Sequence, residues 1–217
     1  MGTILASAII DKAEFVLHDP SNIQWARAEL LGWLNDGQRE VCTILPEQSV
    51  TLGNITTIVG SKQTLPTGGL SLLKVIRNMG ISGTAPGVPV RRVSQEALEQ
   101  HSTDWHSRTA VESITNYTYD PRAPRVFYVY PPSVVNNRLE ALYTVSPADI
   151  AEGAAIVPDD VFEPALLNYI LYRAFSKDTA TGGFPGRAAD HHSKFAALVT
   201  AKKLIDASQQ PPVVAKS

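Results

Sequence analysis

Apolar residues recur at helical spacing from Ser21 to Pro46. At 100° per residue, Ile23, Ala26, Leu30, Trp33, Leu34, Gly37, Val41, Ile44 and Leu45 share one stripe, and Gln24, Glu29, Asn35, Asp36, Arg39 and Glu40 lie off it. The pattern predicts a helix of about six turns, capped by the Ser21 hydroxyl and stopped by Pro46. Trp25 and Leu31 fall outside the stripe, which fits either a contact with a neighbouring subunit or a place beneath a loop. An earlier helix is expected over about Thr3 to Leu17, ended by His18-Asp19-Pro20. Its apolar residues Ile4, Leu5, Ala8, Ile9, Phe15 and Val16 offer a broad face to the central helix.

After Pro46 the period changes. β-branched runs broken by Gly, Pro, Asn and Ser predict strands at Ser49–Leu52, Thr56–Gly60, Leu72–Asn78 and Val90–Val93. Thr64–Gly69 reads as a loop, and Gly80–Pro89 as a mobile hairpin tip. Ser94 caps a short helix to Gln100, followed by an irregular polar stretch, His101–Arg108, and a turn at Tyr117–Pro124. Arg125–Tyr130 alternates as a strand, with Leu139–Val145 as its expected antiparallel partner across a Pro131–Asn137 turn. Asp159 and Asp160 open a helix to about Lys177 that is apolar almost all round, so it should lie between neighbours. A glycine-rich loop, Thr179–Gly186, leads to a last helix, Arg187–Ala207, with Ala188, His191, Phe195, Leu198, Val199 and Ile205 on one side.

The expected fold class is α+β. The N-terminal helices (residues 1–46) and C-terminal helices (158–207) form an antiparallel α-helical bundle, the middle (47–157) is a β-rich insertion, and 208–217 is a flexible tail too proline-rich to fold alone. No internal repeat is present.

Composition narrows the function. Hydrophobic residues make up 44% of the 217 and charged residues only 18%, so the chain folds, and part of its surface is expected to be covered by partners. The net charge of −2 argues against tight gripping of nucleic-acid phosphates. Cys42 is the sole cysteine, which excludes a disulfide framework and fits a reducing compartment. Asp11, Lys12 and Glu14 interrupt the apolar start, making it an amphipathic helix rather than a signal peptide. No run approaches the length of a membrane span.

Candidate chemistry is sparse. His101, Asp104 and His106 are the residues a small metal-dependent hydrolase would use, but their spacing aims them at no common point, so solvated loop residues are the simpler reading. Asp190, His191 and His192 cannot share an ion, because adjacent helical residues point 100° apart. Gly53–Lys62 lacks the order of a phosphate loop, and Gly80–Gly83 is one residue short of a nucleophile elbow. No cofactor and no catalytic residue is expected. Arg77, Arg91, Arg92, Arg108, Arg122 and Arg125 lie in the middle region with Tyr117, Tyr119 and Tyr128. Such a set serves either a nucleic-acid backbone or a protein interface, and the overall charge balance favours the interface.

Four stretches in order resemble one family. They are Trp25–Val41 (W-x-x-x-E-L-L-x-W-L-N-D-G-Q-R-E-V, with Pro46 after it), Leu65–Met79, Arg125–Pro132 (RVFYVYPP), and Pro158–Asp178. In the last, Ala165, Leu166, Tyr169, Leu171, Arg173, Ala174, Phe175, Lys177 and Asp178 carry the pattern, and His191–Phe195 continues it. Together they resemble the head-to-tail adaptor (connector) proteins of tailed bacteriophages.

The resemblance implies a virion structural protein, located in the neck between capsid and tail and made in the host cytoplasm. Such proteins form a ring, commonly of twelve copies, beneath the portal protein; the ring extends the DNA channel, helps retain packaged DNA and carries the tail. Implied partners are the portal, tail or neck proteins, and further copies of the chain. DNA passes through without sequence-specific binding, and no membrane is involved. A neck or tail-completion protein one layer further down is the alternative. On this reading Ser208, Gln209, Gln210, Pro211, Pro212, Val213 and Val214 face the portal, and Trp25, Pro66, Thr67, Thr84 and Pro86 make tail-side or subunit contacts.

Overall fold

A computed structural model describes residues 2–177 and 184–209. In chain order its elements are α1 (Ala6–Leu17), α2 (Arg27–Ile44), a 3-10 turn (Pro46–Ser49), β1 (Val50–Thr56), β2 (Gly60–Thr64), β3 (Gly69–Asn78), β4 (Arg91–Arg92), α3 (Gln95–His101), β5 (Asn116–Thr118), β6 (Val126–Ser133), β7 (Arg138–Val145), a second 3-10 turn (Asp160–Phe162), α4 (Glu163–Lys177) and α5 (Phe184–Gln209). The fold is α+β. The chain divides into a helical unit, residues 1–49 with 147–217, and a β unit, residues 50–146.

In the helical unit an aspartate moves the start of the central helix. The Asp19 carboxylate accepts hydrogen bonds from the backbone N–H of Ile23, Gln24 and Trp25 at 2.8–2.9 Å, which holds that stretch as a loop. α2 therefore begins at Arg27 with Ala26 at its N-cap, not at a Ser21 cap, and Ile23 is 88% exposed. Trp25 is buried, its indole N–H donating to the Ala174 carbonyl at 3.3 Å. Of the two explanations for its off-stripe position, burial within its own unit is the one found. α1 differs in the same way. Ala6, Ile9, Ile10, Ala13 and Leu17 point inward, and Phe15, expected on the packing face, is 80% exposed.

α4 packs against α1, α2 and α5, which accounts for its all-round apolar pattern. Gly37 of α2 makes the close approach possible: a Cβ there would lie 3.0 Å from Tyr169 Cδ1 and 3.1 Å from its Cγ. Two buried amides on α2, which sequence periodicity did not single out, hold the returning chain. Asn35 accepts from Ile150 N–H at 3.0 Å, and Gln38 accepts from Val157 N–H at 2.7 Å while donating to Asn35 at 3.1 Å. Arg27 joins Asp11, Glu14 and Glu152 at 2.7–2.8 Å.

The β unit contains two sheets, ordered β1-β7-β3 and β2-β6-β5-β4. Phe127 and Val129 of β6 and Leu139, Ala141 and Tyr143 of β7 belong to one apolar cluster with Ile55, Leu72 and Val75. β6 and β7 are consecutive but do not pair. β6 lies between β2 and β5, and β7 lies between β1 and β3. Period-two alternation sets which face of a strand is buried, not which strand lies beside it. The predicted strand Thr56–Gly60 is instead mostly the β1–β2 connection. Segment 87–90 covers the far half of β3: Val90 N–H donates to Ile76 O, and Asn78 N–H to Val88 O, at 2.9 and 3.0 Å.

Candidate interaction surfaces

Two of the three residues of the metal reading, Asp104 and His106, have other partners. His106 stacks on Trp105 with centroids 3.6 Å apart, and its Nδ1 lies 2.8 Å from Ser61 Oγ. Asp104 accepts from Ser102 Oγ at 2.5 Å and pairs with Arg108; these partners hold its carboxyl below the usual range. His101 is exposed at the end of α3. Among the described residues no group of three or more His, Cys, Asp or Glu is placed to hold a metal ion. Trp105, which reads in sequence as part of an irregular polar stretch, is 1% exposed and anchors the segment against Tyr128.

His191 and His192 do packing work on α5. His191 stacks on Phe175 and its Nδ1 is 2.8 Å from Asn168 Oδ1, while His192 lies against Tyr172. Burial lowers the His191 pKa, with Lys194 adding to the effect. Cys42 is buried, and desolvation pushes its thiol up to about 11, so it stays protonated and inert at neutral pH.

The expected contact loops are held differently from one another. Pro66 and Thr67 sit on the turn between β2 and β3, closed by Gly69 N–H to Pro66 O at 2.9 Å, with Thr67 exposed. Thr84 and Pro86 are also exposed. Their loop, expected to be free, is fastened to the sheet: Asn54 donates to Gly83 O at 2.9 Å and Arg138 to Ser82 O at 3.1 Å. Gly83 has φ +74°, and a Cβ there would meet Arg138 at 2.6 Å, so only glycine fits.

At the other predicted contact, Ser208 and Gln209 form the end of α5. Gln210, Pro211, Pro212, Val213 and Val214 lie outside the described residues. α5 has 26 residues against 15 in α4, a difference of roughly 16 Å at 1.5 Å per residue. Phe195 faces Tyr169 and His192 faces Tyr172, so the helices run antiparallel and α5 outlasts its partner beyond about Lys202. Leu204 and Ile205 are 67% and 51% exposed on that extension, and Leu198 is exposed before it.

The arginines separate into two groups. Arg77 is tied to Glu140 at 2.7 Å, Arg122 to Asp120, and Arg108 to Asp104 and the Tyr130 hydroxyl. Arg91 and Arg92 instead border a groove, with Arg92 held 4.5 Å over the Tyr119 ring. A further feature has no sequence signature at all. Ile58, Val59 and Val135 are each more than half exposed, on turns braced by buried Thr57, Gln63, Ser133 and Asn137.

A family model described as SU10 adaptor protein matches residues 5–215, nearly the whole chain. No curated protein matches it. Among the described residues no helix is long and apolar enough to cross a membrane. The chain belongs to the SU10 adaptor protein family, a family of phage adaptors.

Proposed function

We propose that this chain is a head-to-tail adaptor of the virion neck, assembling as a ring beneath the portal, lengthening the DNA channel and giving the tail its platform. The observation that carries this reading is the family match over residues 5–215, which takes in both units. The surfaces support it. An apolar-bearing extension of α5 runs past its intramolecular partner, as a segment awaiting a second protein would. We assign that extension and the residues after it, Ser208 to Val214, to the portal, and the exposed turns at Pro66–Thr67 and Thr84–Pro86 to tail-side contacts. No catalytic role is assigned. Mixing the purified protein with portal rings and weighing the product by light scattering tests the reading. A stoichiometric added layer is expected, and portal rings of unchanged mass would refute it.

A further inference from the structure

The two sheets end in four edge strands, β1, β3, β2 and β4, and three of them are closed or defended against a further strand. The outer side of β3 is taken by its own chain: Leu72 N–H donates to Pro124 O, and segment 87–90 pairs with Ile76 and Asn78, at 2.8–3.0 Å. β4 has two residues, both arginine. β2 has five, with exposed Lys62 among them and a register shift between Gly60 and Lys62. β1 is the exception. Its seven residues, Val50–Thr56, include no charge and no proline, and its register with β7 is unbroken. Val50, Leu52, Asn54 and Thr56 are all exposed.

Backbone direction identifies the unpaired groups. Thr57, next after β1, bonds toward the start of β7: its N–H donates to Asn137 O at 2.8 Å and its O accepts from Asn136 N–H at 3.0 Å. Direction alternates along a strand, so Gly53 and Ile55 also bond toward β7, while Leu52 and Asn54 turn their N–H and C=O to the open edge. Among the described residues no backbone hydrogen bond reaches β1 outside its ladder with β7. Alternating donors and acceptors at strand spacing are matched by one kind of occupant, a second extended chain. Val50 and Leu52 share a face, and Leu142 is paired beside Leu52, so an incoming strand gains by carrying aliphatic side chains at alternate positions. β1 presents no charge for it to match.

We propose that β1 receives an extended, uncharged segment of a tail-side protein as an added strand. The Asn54 amide donates to Gly83 O at 2.9 Å, which ties this edge to the Thr84–Pro86 loop. The proposal therefore rests on the tail-side reading of that loop and extends the same surface. A second copy is the weaker occupant. With the other three edge strands closed or defended, two copies would have to pair β1 to β1, a two-fold contact that closes at a dimer, whereas a ring needs a heterologous contact.

Amide hydrogen exchange resolved to single residues tests it on the full chain, free and on portal rings, each with and without purified tails of the phage that encodes it. Exchange at Leu52 and Asn54 should slow at least tenfold when tails are added, and only then. Leu52→Lys places on β1 the kind of charge that guards natural sheet edges, and should weaken tail binding at least tenfold by light scattering. Leu52→Val, a strand former without charge, should bind tails as the wild type does. Both variants should keep the wild-type urea midpoint, because Leu52 is 58% exposed. Exchange at Leu52 and Asn54 unchanged by tails, Leu52→Lys binding tails as the wild type does, tails that bind neither form of the chain, or slowing that sets in on portal rings before tails are added would each overturn the proposal. A chain whose β1 is protected by tails yet ignores the portal would overturn the portal-bound adaptor reading alone.

Discussion

The side-chain amide of Gln63 grips the backbone of Ile58 from both sides: its oxygen accepts the Ile58 N–H and its nitrogen donates to the Ile58 carbonyl, each at 2.9 Å. Gln63 is 1% exposed and Ile58 is 58% exposed. Polar inside and apolar outside is the reverse of the usual arrangement, and it fixes an aliphatic tip in place. Gln63→Ala removes two hydrogen bonds to part-buried backbone groups, each worth about 0.5–1.5 kcal/mol, so a loss of about 1–3 kcal/mol is expected from the urea midpoint. Ile58→Ser should leave that midpoint nearly unchanged, since the side chain packs against little.

The close contact between α2 and α4 depends on the missing side chain of Gly37. Gly37→Val places its branched carbons against the Tyr169 ring and should destabilise the protein by about 1–3 kcal/mol, measured by thermal or denaturant unfolding. Gly32, with nothing within 4 Å of a built Cβ, is the control. Gly32→Ala should be neutral or stabilising, by up to about 1 kcal/mol, through helix propensity.

Acid should weaken the helical unit for an identifiable reason. The carboxyls of Asp19 and Asp160 sit below the usual range because backbone and hydroxyl donors stabilise their charged forms. A folded pKa below the unfolded value, about 3.9, contributes stability that is present above that value and lost as pH falls through the folded one. The His191 shift has the same sign: its pKa is lowered by burial, so stability is retained above about 6.5 and declines as the ring is forced to charge. Urea midpoints should therefore fall first below about pH 6.5 and again below about pH 4. Asp160→Asn should flatten the second step, and an unaltered step would contradict this assignment.

Helices were the most legible part of the sequence, because one period identifies both the element and its buried stripe. The same period could not see Asp19, whose carboxylate takes three backbone donors and starts α2 at Arg27 instead of Ser21. Nor did it reveal Asn35 and Gln38, which look like solvent residues until a distant loop bonds to them. Strands were legible as strands, but the pairing was not. Phe127 and Leu139 share one core from different sheets, and a short connection after β6 looks in sequence like a hairpin turn. The candidate surfaces were least legible. Arg91 and Arg77 read alike in sequence, yet Glu140 neutralises only Arg77.

The extension of α5 carries the portal assignment. Deleting residues 208–217 removes the end of that helix and the residues after it, while Phe195 and Val199, which hold α5 to the core, remain. Portal binding should be lost with the unfolding midpoint unchanged within about 0.5 kcal/mol. Leu204→Asp/Ile205→Asp should act in the same direction without shortening the chain.

The central claim is met most directly by the mass of the complex. Portal rings mixed with excess wild-type protein and measured by light scattering should gain a whole number of chains that forms one complete layer. Portal rings that emerge at their own mass, with this protein remaining separate, would contradict it.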